Sequence, residues 1–518
     1  MRAVSAEAVR SYDAEPGARS SPGMAVAAGV LAALCGLMVL QRVHTYAEPF
    51  ERDIATYAVI AREMRQGRPL YSDLWDNKPP LLYVIFAAAQ TVAGEGPASI
   101  FLMGVACAVV TALALFAAGA FGTSTRIGLW TAAFWAIVCA DLPLQANQPN
   151  IEAFLNAAVA LAFAALVRAG RGFVKPILAG LALAVAVLLK PVVAPVAVAL
   201  ALVHAVAPPE GVRRWRAAAQ ALLALALCAI ALAGVAVYFA YDGRWKIYWD
   251  TLVVHNQFYA GPLLPNLREG LRPARLFAPV LRDVLPLAVV TVAGVVIGLR
   301  AGLSRRALLL AAWLAAIPVV VSAPGKFYAH YYQLWLPPLC LGAGWSVDAL
   351  ARRARGPALA AAVAGTAVAL ALGSRIAPQY AMPADAWSEA KYGDVFLRSR
   401  DVARQVDSMI GPGETFFQWG NEPELYLYTH RSPPTGVMWA QYMQNGPLRV
   451  QLRARTLTQL SKADPQLAVF SRDQPAPTGA LGSWFKQNYD PHPLLRRRAG
   501  FSFWVRNGGA LQRRLTAD

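Results

Sequence analysis

Residues 51–80 read ERDIATYAVIAREMRQGRPLYSDLWDNKPP. Ile54, Tyr57, Ala58, Ala61 and Met64 follow Asp53 at the spacing of one helical face, which predicts a helix over this run. Gly67 suits the position just past its end. Asp53 reads as the N-cap, because a carboxylate there accepts from free amides of the first turn. Such a carboxylate is held rigidly and ionised, which also suits a general base taking a proton from a hydroxyl or amine. Trp75–Pro80 turns the chain into a second helix, with Asp76 or Asn77 as cap and the prolines in the first turn. Capping does not explain Lys78, whose compact charge is a natural partner for a phosphate.

Around this stretch the chain is apolar. Of 518 residues 57% are hydrophobic and only 15% charged. Soluble domains carry about 25% charged residues, so the deficit predicts a lipid-solvated chain. Eleven apolar runs have spanning character: 24–43, 98–120, 127–141, 151–167, 174–189, 191–206, 217–240, 278–299, 306–322, 331–350 and 357–374. The polar, basic stretch Met1–Pro22 shows no cleavable signal pattern, and the first run is long enough to remain as an anchor. The formal charge of +18 sits between apolar runs, which points to topology rather than to nucleic acid.

Leu81–Ala93 is ambiguous by length, and charge decides it. If it does not cross, one side of the membrane collects Arg2, Arg10 and Arg19; Arg126; Arg168, Arg171 and Lys175; Arg213, Arg214 and Arg216; Arg300, Arg305 and Arg306; and Arg352, Arg353 and Arg355. Short basic loops face the cytoplasm. The predicted fold class is therefore an α-helical polytopic membrane protein of about eleven transmembrane helices, with 79–93 a surface or half-inserted helix. Residues 1–23 form a cytoplasmic tail, and 24–374 the membrane domain with an outer loop at 44–97. Residues 375–518 form a small α/β domain on the extracytoplasmic side. In that domain Glu414–Trp419, Gln466–Ser471 and Phe501–Arg506 read as strands, and Val402–Ile410, Pro423–Thr429 and Leu448–Ser461 as helices. The five cysteines lie inside apolar runs and read as small core residues.

This parity places the unusual charges on the outer face. Gln145–Glu152 (QANQPNIE) brings Asn150 and Glu152 to the start of a span, where the helix dipole favours an acid. Lys190 interrupts an apolar run before Pro191, and His255 lies in an aromatic-rich loop. Gly325–Pro338 (GKFYAHYYQLWLPP) sets Lys326 and His330 beside three tyrosines. An interfacial aromatic belt explains the tyrosines but not the two bases. Charges beside a membrane are costly and mark pathways or sites. No phosphate loop, dinucleotide fingerprint, HExxH or Cys/His metal cluster occurs.

Asp53, Tyr57 and GRPLYSDLWDNKPPLLY together resemble the first outer loop of polyprenyl-phosphate-sugar glycosyltransferases of the GT-C superfamily. The family 39 type, related to protein O-mannosyltransferases and the lipid A aminoarabinose transferase, is the nearest group. PNIEAF and KFYAHYYQLWLPP resemble family segments in matching order, so the likeness covers about 45–350. It implies an undecaprenyl-phosphate sugar donor in a bacterial plasma (inner) membrane. It also implies inverting transfer to a cell-envelope lipid, glycan or protein on the outer side. Asp53 matches the catalytic acidic position and Lys78 the lysine near the donor phosphate. Many members carry Asp-Glu at the first site; here Ile54 follows Asp53 and the neighbouring acid is Glu51.

The expected mechanism follows. The donor enters sideways, its tail in a groove between spans. Lys78, with Lys326, His330 and Lys190, binds the donor phosphate, while Asp53 activates the acceptor. Arg52, Tyr57, Asp76, Asn150, Glu152 and His255 are the candidate substrate contacts. A divalent metal is compatible but not required, since lipid phosphate leaves readily once its charge is paired. A lipid-phosphate transporter or flippase is the alternative, although neither inverted repeats nor paired broken helices are visible. A non-catalytic assembly protein is a third reading.

Overall fold

The computed structural model describes residues 23–121, 123–276, 278–300, 304–352, 354–492 and 500–517. The tail Met1–Pro22, with its three arginines, and Arg353 lie outside the described residues.

All eleven apolar runs fall on helical segments. Among the described residues five helices are long and apolar enough to cross a membrane: Met24–Val43, Pro97–Ala120, Arg214–Tyr241, Arg305–Ser322 and Pro357–Ala381. Shorter apolar helices include Thr125–Val138, Ile151–Val167 and Val174–Leu189. Ile151–Val167 buries nearly its whole surface, while Met24–Val43 and Arg214–Tyr241 leave Leu37, Leu40, Leu222, Ile230 and Val237 exposed. A helix apolar all round belongs inside a bundle or in lipid. Small residues permit close approach: a Cβ on Gly180 would overlap Ala224, and one on Gly128 would overlap Phe116.

The run 331–350 departs from expectation. It begins as a 3-10 turn, Ala329–Trp335, and only then becomes the helix Leu336–Ala351. Pro337 and Pro338 occupy the first helical turn, and residues before a proline are pushed off the α conformation. Leu81–Ala93 lies in the helix Pro80–Ala93, whose 14 residues reach about 21 Å at 1.5 Å each. It packs on the helix Arg52–Arg65 through Gln90, which donates to the Ala58 carbonyl at 2.8 Å, and through Tyr57, which meets Tyr83 and Phe86 edge-on.

Beyond the bundle, helices Ala384–Tyr392 and Val395–Met409 precede a four-stranded sheet of order β1-β2-β4-β3. The strands are β1 Phe416–Trp419, β2 Leu467–Ser471, β3 Tyr489–Pro491 and β4 Phe501–Arg506. β1 and β2 pair in parallel, and their connection includes the helix Arg449–Ala463. β4 buries Phe501, Phe503 and Val505 on alternate positions. The three expected strands and three expected helices all exist. The short elements Ala440–Gln444, Gly479–Asn488 and β3 had no sequence signal of their own.

The C-terminal residues clasp the loop 44–97. The Trp75 amide donates to the Gly436 carbonyl at 2.9 Å, and a Cβ on Gly436 would overlap the Asp73 carbonyl oxygen. Arg62 donates to the carbonyls of Tyr426 (3.2 Å) and Arg431 (2.7 Å). Arg68 joins Glu63, Asp73 and the Pro433 carbonyl. Arg455 donates to the Tyr71 carbonyl at 2.7 Å, and the Phe50 amide to the Tyr428 hydroxyl at 2.8 Å. Lys391, fully buried, pairs with buried Glu48 and donates to Asn147 at 3.0 Å. Loop, tail and the 141–150 turn thus form one layer on the end of the bundle.

Candidate functional site

The helix Arg52–Arg65 is capped by Glu51, not by Asp53: the Glu51 carboxylate accepts from the Ile54 amide at 3.1 Å. With carboxylates at both 51 and 53, local propensity does not fix which starts the helix. Asp53 sits instead in the first turn, where the positive end of the helix favours the ionised form. It is half-buried, and its carboxylate makes no hydrogen bond or ion pair with another described residue. Tyr57 follows one turn later on the same face, its hydroxyl buried without a hydrogen-bond partner. Burial, then the charges of Asp53, Asp76 and Glu51, hold the Tyr57 phenol far above its ordinary range. Burial and the Asp53 charge push Glu51 up to about 8. Gly67, at φ +91°, closes the helix as expected.

Lys78 is fixed by its neighbours. Asp76, buried, accepts from the Tyr83 hydroxyl at 2.7 Å and from the Asn77 amide at 2.8 Å. Both Asp76 oxygens therefore serve the turn. Asn77 and Asn256 bond each other reciprocally, side chain to side chain and side chain to backbone, each at 3.0 Å. Tyr71 donates to the Lys78 carbonyl at 2.7 Å, and the Lys78 ammonium donates to the Asn77 side chain at 2.8 Å. No described carboxylate pairs with Lys78.

His255 ends a π-helical turn, Asp250–His255, an irregularity often found at functional sites. Its ring is buried edge-on against Trp75 (5.0 Å) and Tyr442 (5.3 Å), and neither nitrogen has a hydrogen-bond partner. Burial, then the Lys78 charge, pull it down to about 4, so it is neutral at neutral pH.

A second group approaches from the bundle. Asn150 caps the helix Ile151–Val167 by accepting from the Ile151 amide, so its oxygen has a structural partner. Glu152 and Lys190 form a 2.6 Å ion pair, with the Lys190 ammonium 3.7 Å from the centre of the Tyr331 ring. The other Glu152 oxygen is buried without a partner. Lys326 lies over the Tyr259 ring at 4.3 Å. His330 contacts Gln145 at 3.3 Å and lies in the fields of Glu152, Asp53, Lys190 and Lys78 together. His330 therefore lies within reach of charges from both groups.

Arg52 turns toward the tail, 3.9 Å from Glu422 and over the rings of Phe396 and Trp439. The tail also supplies aromatics that sequence reading missed: Tyr392 and Tyr442 both lie in the field of Asp53. They are more than 300 residues from Asp53, in segments without a motif, and only the fold brings them there. Among the described residues no group of three or more His, Cys, Asp or Glu side chains is placed to hold a metal ion.

Residues 77–238 match the family described as dolichyl-phosphate-mannose-protein mannosyltransferase. The match begins at Asn77, so it includes Lys78, Asn150, Glu152 and Lys190 but not Asp53. No curated protein matches the chain. The fold is that of ArnT from Cupriavidus metallidurans in the apo state, at TM-score 0.64 and 16% identity, covering 93% of this chain and 98% of that one. The same protein bound to undecaprenyl phosphate matches at TM-score 0.59 over the same shares. The oligosaccharyltransferase AglB from Archaeoglobus fulgidus, in complex with an inhibitory peptide and a dolichol-phosphate, matches at TM-score 0.50 and 14% identity, covering 86% of this chain and 69% of that one. The GT-C fold expected from the sequence is thus present over nearly the whole chain.

Proposed function

We propose that this chain, a multi-pass membrane protein of GT-C fold, is a glycosyltransferase that moves a sugar from a polyprenyl phosphate to an acceptor at the membrane surface. One observation carries the reading: a carboxylate without a partner, Asp53, and a cation without a counter-charge, Lys78, both lie near enough to His330 for their charges to act on it. Asp53 takes the proton of the acceptor hydroxyl or amine as its oxygen or nitrogen bonds to the anomeric carbon. The bond from that carbon to the phosphate oxygen breaks on the opposite face, inverting the centre, and the phosphate leaves with its charge paired by Lys78. We assign Lys326 and His330 to the same pairing. Lys190, already paired with Glu152, lies against the Tyr331 ring rather than offering a free charge. The donor is an undecaprenyl-phosphate sugar and the membrane a bacterial plasma membrane. The N-terminus is cytoplasmic, and the site with residues 375–518 is extracytoplasmic. These assignments are supported by the basic short loops and by the lipid phosphates bound in the proteins of like fold.

The deciding experiment uses the purified chain in lipid nanodiscs with undecaprenyl-phosphate sugars and an envelope extract as acceptor. Asp53→Asn should lower transfer by about 10²–10⁴-fold, the range for loss of a general base. Wild-type transfer by a folded Asp53→Asn protein sinks the role given to Asp53.

A further inference from the structure

Arg42 is a second buried cation that the proposed reaction does not use. It stands in the last turn of the helix Met24–Val43, at the end of the bundle where loop 44–97 begins, and is 4% exposed. Its guanidinium is fixed by neutral groups. It donates to the Cys139 carbonyl at 2.7 Å, the Met38 carbonyl at 3.3 Å and the Cys139 Sγ at 3.4 Å. The Nε is buried without a hydrogen-bond partner, and no described carboxylate forms an ion pair with Arg42. Two adjoining clefts share this residue. The outer one, about 350 Å³ with its open mouth included, is lined also by Tyr46, Glu48, Pro97, Phe101 and Gln148. The inner one, about 260 Å³ counted the same way, runs past Gly104 and Gln148 to Trp135. Gly104 keeps the space beside the Nε: a Cβ there would stand 3.6 Å from that nitrogen.

A buried guanidinium without a counter-charge is costly, and an anion bonded to it offsets the cost. Phosphate oxygens suit its N–H donors. Glu48 does not fill that role, although it lines the outer cleft. One of its oxygens pairs with Lys391 and the other accepts from the Asn147 amide at 2.6 Å. Gln148, 9% exposed, turns a second orphan into the clefts: its side-chain oxygen is buried without a partner and accepts only from a donor such as a hydroxyl. The rim points to the source of the anion. Pro97 and Tyr46 are exposed there, and the Tyr46 ring meets Phe101 edge-on at 5.5 Å. Leu40, Val43 and Leu102 beside them are exposed as well. Aromatic rings at the edge of such an apolar surface mark the level of lipid headgroups. A lipid standing on that surface brings its phosphate to the mouth of the cleft.

We propose that the Arg42 cleft is a binding site for an anionic membrane lipid with a hydroxylated headgroup, separate from the Lys78 group and independent of the transferase reading. Arg42 bonds the lipid phosphate through Nε, and Gln148 accepts from a headgroup hydroxyl. Binding to the full-length chain in detergent tests it, with short-chain phosphatidylglycerol, short-chain phosphatidylcholine and inorganic phosphate as probes. Wild type should bind phosphatidylglycerol about tenfold or more tighter than either of the others. Arg42→Met should weaken phosphatidylglycerol about tenfold, as loss of a charge-assisted hydrogen bond does, and Gln148→Leu about three- to tenfold. Removing Arg42 also frees the Cys139 carbonyl, so Gly104→Leu serves as the second variant. It keeps the guanidinium, fills the space beside Nε and should weaken phosphatidylglycerol to a like degree. Lys78→Met should leave it within about twofold. Four results overturn the proposal: no preference of wild type for phosphatidylglycerol over phosphatidylcholine, inorganic phosphate bound as tightly as the lipid, wild-type affinity in folded Arg42→Met or Gly104→Leu, or equal loss in Lys78→Met.

Discussion

Lys78 carries a charge that no described carboxylate neutralises, although its backbone carbonyl and its ammonium are both held by hydrogen bonds. An ordered, half-buried cation of this kind should set donor affinity. Lys78→Met should raise the donor KM by about tenfold or more, and Lys78→Arg should restore it only in part, because the guanidinium is larger and planar. Steady-state kinetics with a soluble short-chain donor would show this as a KM effect exceeding the kcat effect. Lys78 and Asp53 stood out in the sequence because a charge beside a membrane needs a reason. Their local roles were not. Glu51 and Asn150 took the capping positions, and Asp76 was absorbed by Tyr83 and Asn77. These assignments turn on contacts within a single helical turn, which neighbouring acids and amides satisfy almost interchangeably.

At the level of elements, apolar run length located every bundle helix, because a span needs little beyond continuous apolar side chains. Strands β1, β2 and β4 of the tail were legible through their aromatic and β-branched content, and β3 was not. The π-helical turn ending at His255, the 3-10 turn before Leu336 and the five-residue helix bearing Tyr442 were not. Each is shorter than a stable isolated helix and exists because its partners hold it. The ion pair of Glu48 with Lys391 shows how these elements are fastened: its side chains are 1% and 0% exposed. Lys391→Met leaves a buried carboxylate unpaired and should destabilise the protein by about 3–5 kcal/mol. Adding Glu48→Gln should recover most of that loss. Thermal unfolding in detergent of both single variants and the double variant measures the coupling.

Taken whole, the molecule is a bundle under a polar layer made from two distant parts of the chain, and that layer should respond to pH. Glu424, fully buried where the tail meets the Arg52–Arg65 helix, is pushed up to about 8 by burial and by the Glu422 charge, and Glu51 stands at about 8 as well. A carboxyl whose folded value is raised binds a proton that the unfolded chain has already released. Its contribution to stability is therefore full below about pH 4.5 and is lost as pH rises toward 8. Melting temperature should fall across that window, and Glu424→Gln should flatten the fall and stabilise the protein at pH 8 by upward of about 1 kcal/mol. A melting temperature that is flat from pH 5 to 8 in wild type would contradict this. The contact at Gly436 has a different kind of consequence. Its backbone lies so close to Asp73 that no side chain fits between them, and the Trp75 amide closes the seam. Two segments some 360 residues apart therefore behave as a single unit of inheritance. In recombination between related chains, a tail can be exchanged only together with the loop it grew against.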